Sequence, residues 1–353
     1  MSEIICLGYF GRGNCGDEAF INAHEWIFGK ENIALRHGRL TPEDVGGRTV
    51  VLGGGDVVAP FFIDWIPRGT PFYMVGVGLK YEHASAEVLV DRCEDLRFAW
   101  FRNQADLEIC SEYGIPCGYV PDIVFALKNE PCVLRPTLPP DIPLPQRERI
   151  VVCLSDHFNT RYGYEDPRLL AYGDWMKWEL ARALDALAER YEILFLPLSV
   201  YKNHFDHRMH ADVMSRMRHG GRCLWREVAS HPFEALSICA TAHHVISMKL
   251  HGNIFGLVTE RCCVNIGVGR KQKLLYREAG LSEASLKPFA LTAEDVLAAF
   301  ARAQQPDCRA KVSAYAELQH GRLITFRQHI RAELMGEASP NLRDSMTSPH
   351  RVG

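Results

Sequence analysis

The residues best equipped for chemistry gather at two places. Near the start, "CLGYFGRGNCGDEAF" spans Cys6 to Phe20. Gly11, Gly13 and Gly16 spell G-x-G-x-x-G between an apolar run and a helical pattern, the setting of a turn that cradles a dinucleotide pyrophosphate. Yet Asp17 and Glu18 follow at once. Carboxylates at a helix start compete with a bound anion for the amides and dipole of that terminus. They suit a polyol, a proton transfer or simply the helix dipole. A ribose-binding acid is expected about 20 residues on. Arg36, His37 and Arg39 stand there instead, a set that would suit a 2′-phosphate. The loop stays open to two readings: a tight strand–helix turn, or a site whose ligand touches Asn14, Gly16 and the two acids.

The second place runs from Ile246 to Leu281 and contains "SMKLHGNIFGLV" and "NIGVGRKQKLLYREAGL". Lys249 and His251 follow one apolar strand, and Arg270, Lys271 and Lys273 follow the next. Carboxyl ends of neighbouring parallel strands share a crevice where α/β sheets bind ligands. Several cations together suit an anionic ligand. An imidazole titrates near neutrality, which makes His251 the first candidate for acid–base work. The plain alternatives are a structural histidine and a solvated helix start.

The elements that must position these groups alternate. Expected strands are Ile4–Leu7, Ile33–Leu35, Thr49–Leu52, Phe72–Val77, Phe98–Phe101, Tyr119–Val120, Ile150–Leu154 and Ile193–Leu198, with further ones at Val245–Met248 and Cys263–Ile266. Amphipathic helices are expected at Asp17–Phe28, Ser85–Cys93, Gln104–Tyr113, Trp175–Tyr191 and Asn253–Val258. Such alternation implies βα units and parallel sheets. "RPTLPPDIPLPQRER" carries five prolines and reads as an inter-domain linker. The expected division is a Rossmann-like domain over 1–134, a linker over 135–149, a second Rossmann-like domain with C-terminal helices over 150–335, and a polar, disordered tail over 336–353. Two α/β domains so joined imply a cleft between them.

Composition bounds the function. The 353 residues are 47% hydrophobic and 24% charged, with a net charge of −3, as in a globular protein of about two domains. That balance gives no general attraction to nucleic acid. No apolar run approaches the ~20 residues of a membrane span. Twelve cysteines without zinc spacing read as buried free thiols in a reducing cytosol. The chain is expected in the cytoplasm, at most peripheral at the inner membrane face, with no metal and no cofactor.

Four stretches, in order, resemble the polysaccharide pyruvyl transferase family. "GYFGRGNCGDEAF" is similar to its G-Y-x-G-x-x-N-x-G-D-E-A motif, and "VVLGGGDVV" to its glycine-rich strand end. "FRNQADLEICSEYGI" with "VPDIVF" resembles its middle segment, an arginine before a helix and an Asp after a short strand. "SMKLHGNIFGLV" with "NIGVGRKQKLLYREAGL" resembles its R-L-H-x-x-x-F segment and the lysine-containing stretch after it. The resemblance implies an α/β fold of two Rossmann-like domains facing a central cleft, GT-B-like. It implies transfer of the pyruvyl group of phosphoenolpyruvate to two hydroxyls of a nucleotide- or lipid-linked saccharide as a cyclic ketal. Phosphoenolpyruvate is then a co-substrate, held by Arg102, Lys249 and His251, with Arg270, Lys271 and Lys273 adding charge. His251, Asp17 and Glu18 become the catalytic candidates, and Asn14, Gly16, Gly54, Gly55 and Asp56 the loop and acceptor-binding ones. Lys249 stands where the family has arginine, keeping the charge without the planar fork. The rival expectations are a sugar-nucleotide glycosyltransferase and a non-catalytic glycan- or metabolite-binding relative, with an NADP oxidoreductase more distant.

Between Ser155 and Arg168, "SDHFNTRYGYEDPR" reads either as a surface loop or as an aromatic platform for an acceptor sugar.

Overall fold

The computed structural model describes residues 4–156, 167–201, 204–226, 231–267 and 269–337. Contacts divide the chain into two units. The first holds the start of the chain to Gly8, His24–Ala126 and the chain from Gln319 onward; the second holds Tyr9–Ala23 and Leu127–Leu318.

In the first unit, β1 (Ile4–Leu7), β2 (Ile33–Arg36), β3 (Thr49–Val58), β4 (Phe72–Leu79), β5 (Leu96–Phe101) and β6 (Cys117–Tyr119) form one parallel sheet in the order β2-β1-β3-β4-β5-β6. A parallel strand is covered on both faces, so it needs an unbroken apolar run. Ile4, Ile5, Cys6 and Leu7 supply one, all buried. Helices α1 (Cys15–Phe28), α2 (His83–Val90) and α3 (Gln104–Glu112) follow strands β1, β4 and β5. Asn103 starts α3, its side-chain oxygen accepting from the Asp106 amide at 2.9 Å. The sequence predicts that β3 stops at Leu52. It continues to Val58, because Gly55 and Val58 still pair with Val77 and Leu79 across a register shift. The extension carries Gly54, Gly55 and Asp56 past the sheet's middle to its carboxyl edge.

The second unit begins its sheet with β7 (Arg149–Cys153). The chain continues through α4 (Pro167–Ala188), β8 (Glu192–Phe195), the small hairpin β9 (Val200–Tyr201) and β10 (His204–Phe205), and α5 (Asp206–Arg216). Then come β11 (Leu224–Trp225), α6 (Pro232–Thr241), β12 (His244–Ser247), α7 (Leu250–Val258), β13 (Cys262–Ile266), α8 (Arg270–Glu278), β14 (Ser285–Leu286) and α9 (Ala293–Ala303). The order is β11-β8-β7-β12-β13-β14, again parallel throughout. Chain direction along the sheet reverses at β7, so the switch point lies between β7 and β12. On α4, Leu180, Leu184 and Leu187 are buried as the sequence periodicity predicts; Tyr191, the fourth residue of that pattern, is buried too but lies past the end of the helix at Ala188. The last helix, α10 (Pro306–Met335), belongs to the second unit up to Leu318 and to the first beyond it. In the first unit it buries Leu323, Phe326 and Ile330, with Phe326 edge-on to Trp100 at 5.3 Å.

This division differs from the linear one expected at 134 and 149. The proline-rich stretch is anchored within the second unit. Ile142 is buried there, Asp141 pairs with Arg226 at 2.6 Å, and the fully buried Arg149 donates to the Pro143 carbonyl at 2.6 Å. The tail beyond Glu337 lies outside the described residues. All twelve cysteines are free thiols, eight of them buried.

Candidate functional site

The carboxyl edge of the second sheet gathers most of the expected groups. Ser247 ends β12, and Lys249 is the residue from which α7 starts. The Lys249 ammonium lies 3.2 Å from Asp206, the first residue of α5. Asp206 is fully buried, and burial raises its carboxyl above the ordinary value of 3.8. Lys249 and the amides of Asp156 and Leu198 oppose that rise. One buried carboxylate therefore steadies one cation at the switch point.

The glycine loop joins this edge. Its carbonyl at Gly13 accepts from the Val200 amide at 2.9 Å, the Cys15 amide donates to the Leu198 carbonyl at 2.8 Å, and Asn14 bridges Ser199. These bonds to the segment after β8 explain why Tyr9–Ala23 clusters with the second unit. Gly16, in the first turn of α1, is the seat of His251. A Cβ on Gly16 would stand 2.1 Å from the Nδ1 of that imidazole, a distance no side chain tolerates. The ring is further fixed by Phe20, edge-on at 5.1 Å, and remains half-buried. Two helix starts, of α1 and α7, thus meet at His251, and each presents the positive end of its dipole.

The two acids of the loop have local partners. The Glu18 carboxylate accepts from the Arg12 amide at 3.0 Å and closes the loop. Asp17 accepts from the Asn14 amide group at 2.7 Å, while Asn14 Oδ1 accepts from the Gly16 amide. Both acids are half-buried.

Behind the edge, a buried polar network fixes α7 and α8. Asn253 donates to the Lys249 carbonyl at 3.0 Å and to Asn265 at 2.9 Å, and it accepts from the Tyr276 hydroxyl at 2.8 Å. Gln272 donates to the Met248 carbonyl at 3.2 Å, which ties the start of α8 to the strand end that carries Lys249. Networks so interlocked hold their members to one geometry. Arg270, Lys271 and Lys273 ride on that helix start, Arg270 half-buried and both lysines exposed. His210 of α5 accepts from the Leu154 amide at 2.7 Å. Its pKa is pushed down to about 3 by burial, then by His207 and Lys249, so it stays neutral.

In the first unit the carboxyl edge differs. Arg102, at the end of β5, pairs with Asp56 at 2.5 Å and Asp122 at 2.8 Å. Burial works against its charge, but the two carboxylates outweigh burial and hold the guanidinium pKa above the ordinary value. Asp106 accepts from the Leu79 amide at 2.8 Å and from Asn103 at 2.7 Å. Of the three acids, Asp56 reaches solvent most, its side chain 27% exposed against 6% for Asp122.

The structure therefore brings Asn14, Gly16, Asp17, Glu18, Lys249, His251 and the start of α8 to one sheet edge. It places Arg102, Gly54, Gly55 and Asp56 on the edge of the other sheet. Residues 157–166 of the proposed aromatic platform lie outside the described residues; Ser155 and Asp156, just before them, are buried. Sequence reasoning missed Asp206, Asn253 and His210. In "YKNHFDHRMH", Asp206 looks like any acid at a helix start, and only the fold reveals that it is buried under a lysine 43 residues away.

The sequence matches the family described as polysaccharide pyruvyl transferase over residues 14–270, most of the chain. Curated proteins give no match. The fold is similar to solved structures at low identity. The UDP-GlcNAc 2-epimerase of Neisseria meningitidis bound to UDP-GlcNAc has a TM-score of 0.57 at 10% identity, covering 96% of this chain and 100% of that one. The S. aureus MnaA co-structure with UDP gives 0.60 at 10% identity, covering 96% and 99%. The Methanocaldococcus jannaschii UDP-GlcNAc 2-epimerase in complex with UDP-GlcNAc and UDP gives 0.55 at 10%, covering 91% and 100%. Identity at this level speaks for the shared GT-B-like fold. Among the described residues, no helix is long and apolar enough to cross a membrane.

Proposed function

We propose that this chain, which belongs to the polysaccharide pyruvyl transferase family, moves the pyruvyl group of phosphoenolpyruvate onto two hydroxyls of a saccharide. The observation that carries the reading is the seat of His251 on Gly16, two residues after Lys249 at the start of α7. It presents an imidazole and a cation together where two helix dipoles point.

The chemistry needs those groups. Phosphoenolpyruvate brings a carboxylate and a phosphate, which Lys249 and the cations of α8 can balance. Protonation of its methylene carbon makes a methyl group and leaves an oxocarbenium-like centre at the adjoining carbon. One sugar hydroxyl adds there and gives up its proton; the phosphate departs; a second hydroxyl adds and gives up its own. One hydroxyl proton ends on the methyl carbon and the other on inorganic phosphate. His251 delivers the proton to the methylene carbon and recovers one from a hydroxyl. Asp17, held by Asn14 beside the same seat, is the second acid–base candidate. Glu18 maintains the loop.

The UDP and UDP-sugar named with the structurally similar proteins support a nucleotide-linked saccharide as acceptor, and equally a glycosyltransferase that uses such a sugar as donor. One experiment tests both readings. Purified protein is given phosphoenolpyruvate with nucleotide- and lipid-linked sugars, and phosphate release is followed. Acceptor-dependent release is expected. UDP release from a UDP-sugar without phosphoenolpyruvate would replace this reading with the other.

A further inference from the structure

We infer that Ser247 is a positioning residue for donor binding: its hydroxyl clasps both backbone groups of Lys249, and so sets in place that cation and the start of α7 that carries His251. The inference rests on the donor-binding reading of Lys249. Ser247 ends β12 and is fully buried. Its Oγ accepts from the Lys249 amide at 3.0 Å and donates to the Lys249 carbonyl at 2.8 Å. A second acceptor, the Cys153 carbonyl, lies farther off at 3.4 Å. A hydroxyl has one proton to give, and the shorter contact holds it. One side chain thus fixes the N–H and the C=O of the residue two places on.

Lys249 stands there against local preference. It is the N-cap of α7, a place where serine, threonine, asparagine or aspartate ordinarily accepts from the first amides, and its own side chain caps nothing. A cation also opposes the positive end of the helix dipole, and the first turn of α7 holds no acid to offset it. The side chain reaches Asp206 instead, 3.2 Å away. A residue that breaks two local rules at once marks a functional position, and here the feature it brings is its charge. Ser247 supplies the backbone restraint that a capping side chain would have given. Asn253 helps, its side-chain amide donating to the same Lys249 carbonyl at 3.0 Å. The helix also rests on the serine. A Cβ on Gly252 would stand 2.3 Å from Ser247 Oγ and 2.9 Å from Cys153 Cβ, so α7 comes down onto the hydroxyl with no side chain between. Gly252 adjoins His251. The hydroxyl therefore meets the chain on both sides of the imidazole, at Lys249 before it and at Gly252 after it.

A double-mutant cycle tests the coupling, with phosphoenolpyruvate affinity read by calorimetry on the full chain and Tm followed for every variant. Ser247→Ala is expected to weaken binding about fivefold, the scale of one lost hydrogen bond. In the Lys249→Ala background the same change adds no more than about twofold, because the group that Ser247 positions is gone. Ser247→Thr keeps the hydroxyl and with it the parent's affinity; where the added methyl unfolds the chain, the alanine cycle decides alone. An equal loss from Ser247→Ala with and without Lys249 would leave Ser247 a structural serine and overturn the inference. So would unchanged affinity in Ser247→Ala, or a folded Ser247→Thr protein as weak as the alanine variant. If the parent binds no phosphoenolpyruvate, the donor reading of Lys249 fails and the same cycle is run with UDP, the ligand of the glycosyltransferase reading. Coupling there upholds the positioning role, and additivity overturns it. A parent that binds neither overturns both.

Discussion

Two sheet edges in this molecule begin from the same architecture and end with opposite electrostatic character. Each is the carboxyl edge of a six-stranded parallel sheet, and each carries a strand-end cation paired with a carboxylate. In the first unit Arg102 is enclosed by Asp56 and Asp122. In the second, Lys249 pairs with Asp206 among the described residues, and an imidazole and the cations of α8 belong to the same edge. The difference lies in how many carboxylates accompany the cation, not in the cation's own strength. A fork-shaped arginine clasped by two acids is less available to an anion than a lysine clasped by one. The type of a residue in a motif therefore says less about its ligand than the charge count around it.

Breaking the second edge should cost most. His251→Ala is expected to lower turnover about 10²- to 10⁴-fold, with donor affinity falling less than tenfold, and His251→Gln should match it because an amide cannot transfer a proton at neutral pH. Initial rates of phosphate release against phosphoenolpyruvate concentration decide this. A glutamine variant with most of the parent's activity would assign the proton transfer to Asp17. Gly16→Ala attacks the same seat from beneath. The new methyl must displace the ring, and a misplacement of about 1 Å can cost on the order of 10²-fold in rate. Unchanged turnover in a folded Gly16→Ala protein would show that the seat does not matter.

Next comes Lys249. Lys249→Ala should weaken phosphoenolpyruvate binding at least tenfold, about 1.4 kcal/mol, whereas Lys249→Arg holds or improves it. The alanine variant also strands Asp206. A buried carboxyl whose native pKa is raised binds its proton more tightly in the folded state. Stability therefore grows as pH falls through the raised value, and the gain is complete below 3.8. Losing Lys249 raises that value further. The gap in Tm between Lys249→Ala and the parent should be widest at neutral pH and narrow as pH approaches 4. A gap independent of pH would mean that Lys249 does not support the Asp206 charge.

The smallest effect sharpens a contrast between histidines. His24 lies against Gly53 as His251 lies against Gly16, but it is fully buried. Burial pushes its pKa from 6.5 down to about 4, against a hydrogen bond with Gly53. A depressed histidine leaves stability intact above 6.5, and stability is lost as pH falls from 6.5 toward 4, at up to ~1.4 kcal/mol per pH unit. His24→Gln should flatten that slope in chemical denaturation. An unaltered slope would place the acid sensitivity in other groups.

Most of the frame could be read from the chain. Ile4–Leu7 is apolar without interruption and is a strand at those residues; Leu180, Leu184 and Leu187 recur at helical spacing and lie buried on α4. Local patterns record local structure. The glycine loop exposed the limit of this reading: it follows a strand of the first unit yet belongs to the second, because its hydrogen bonds go to residues 198–200. Pairings across such distances leave no periodic trace. Likewise, no composition or spacing distinguishes Asp206, buried under Lys249, from the exposed acids of other helix starts. Arg102 was legible as a strand-end arginine, but not its two carboxylate partners.

The contact between Gly16 and His251 also constrains how this sequence can change over generations. A side chain at 16 and a ring at 251 exclude each other, since the space is large enough for one. Substitution at 16 becomes tolerable only after 251 has become small. The two positions should therefore vary together among descendants of this chain, and in a fixed order. A lineage that abandons the imidazole can afterwards fill position 16, and once it has done so the way back to histidine is closed.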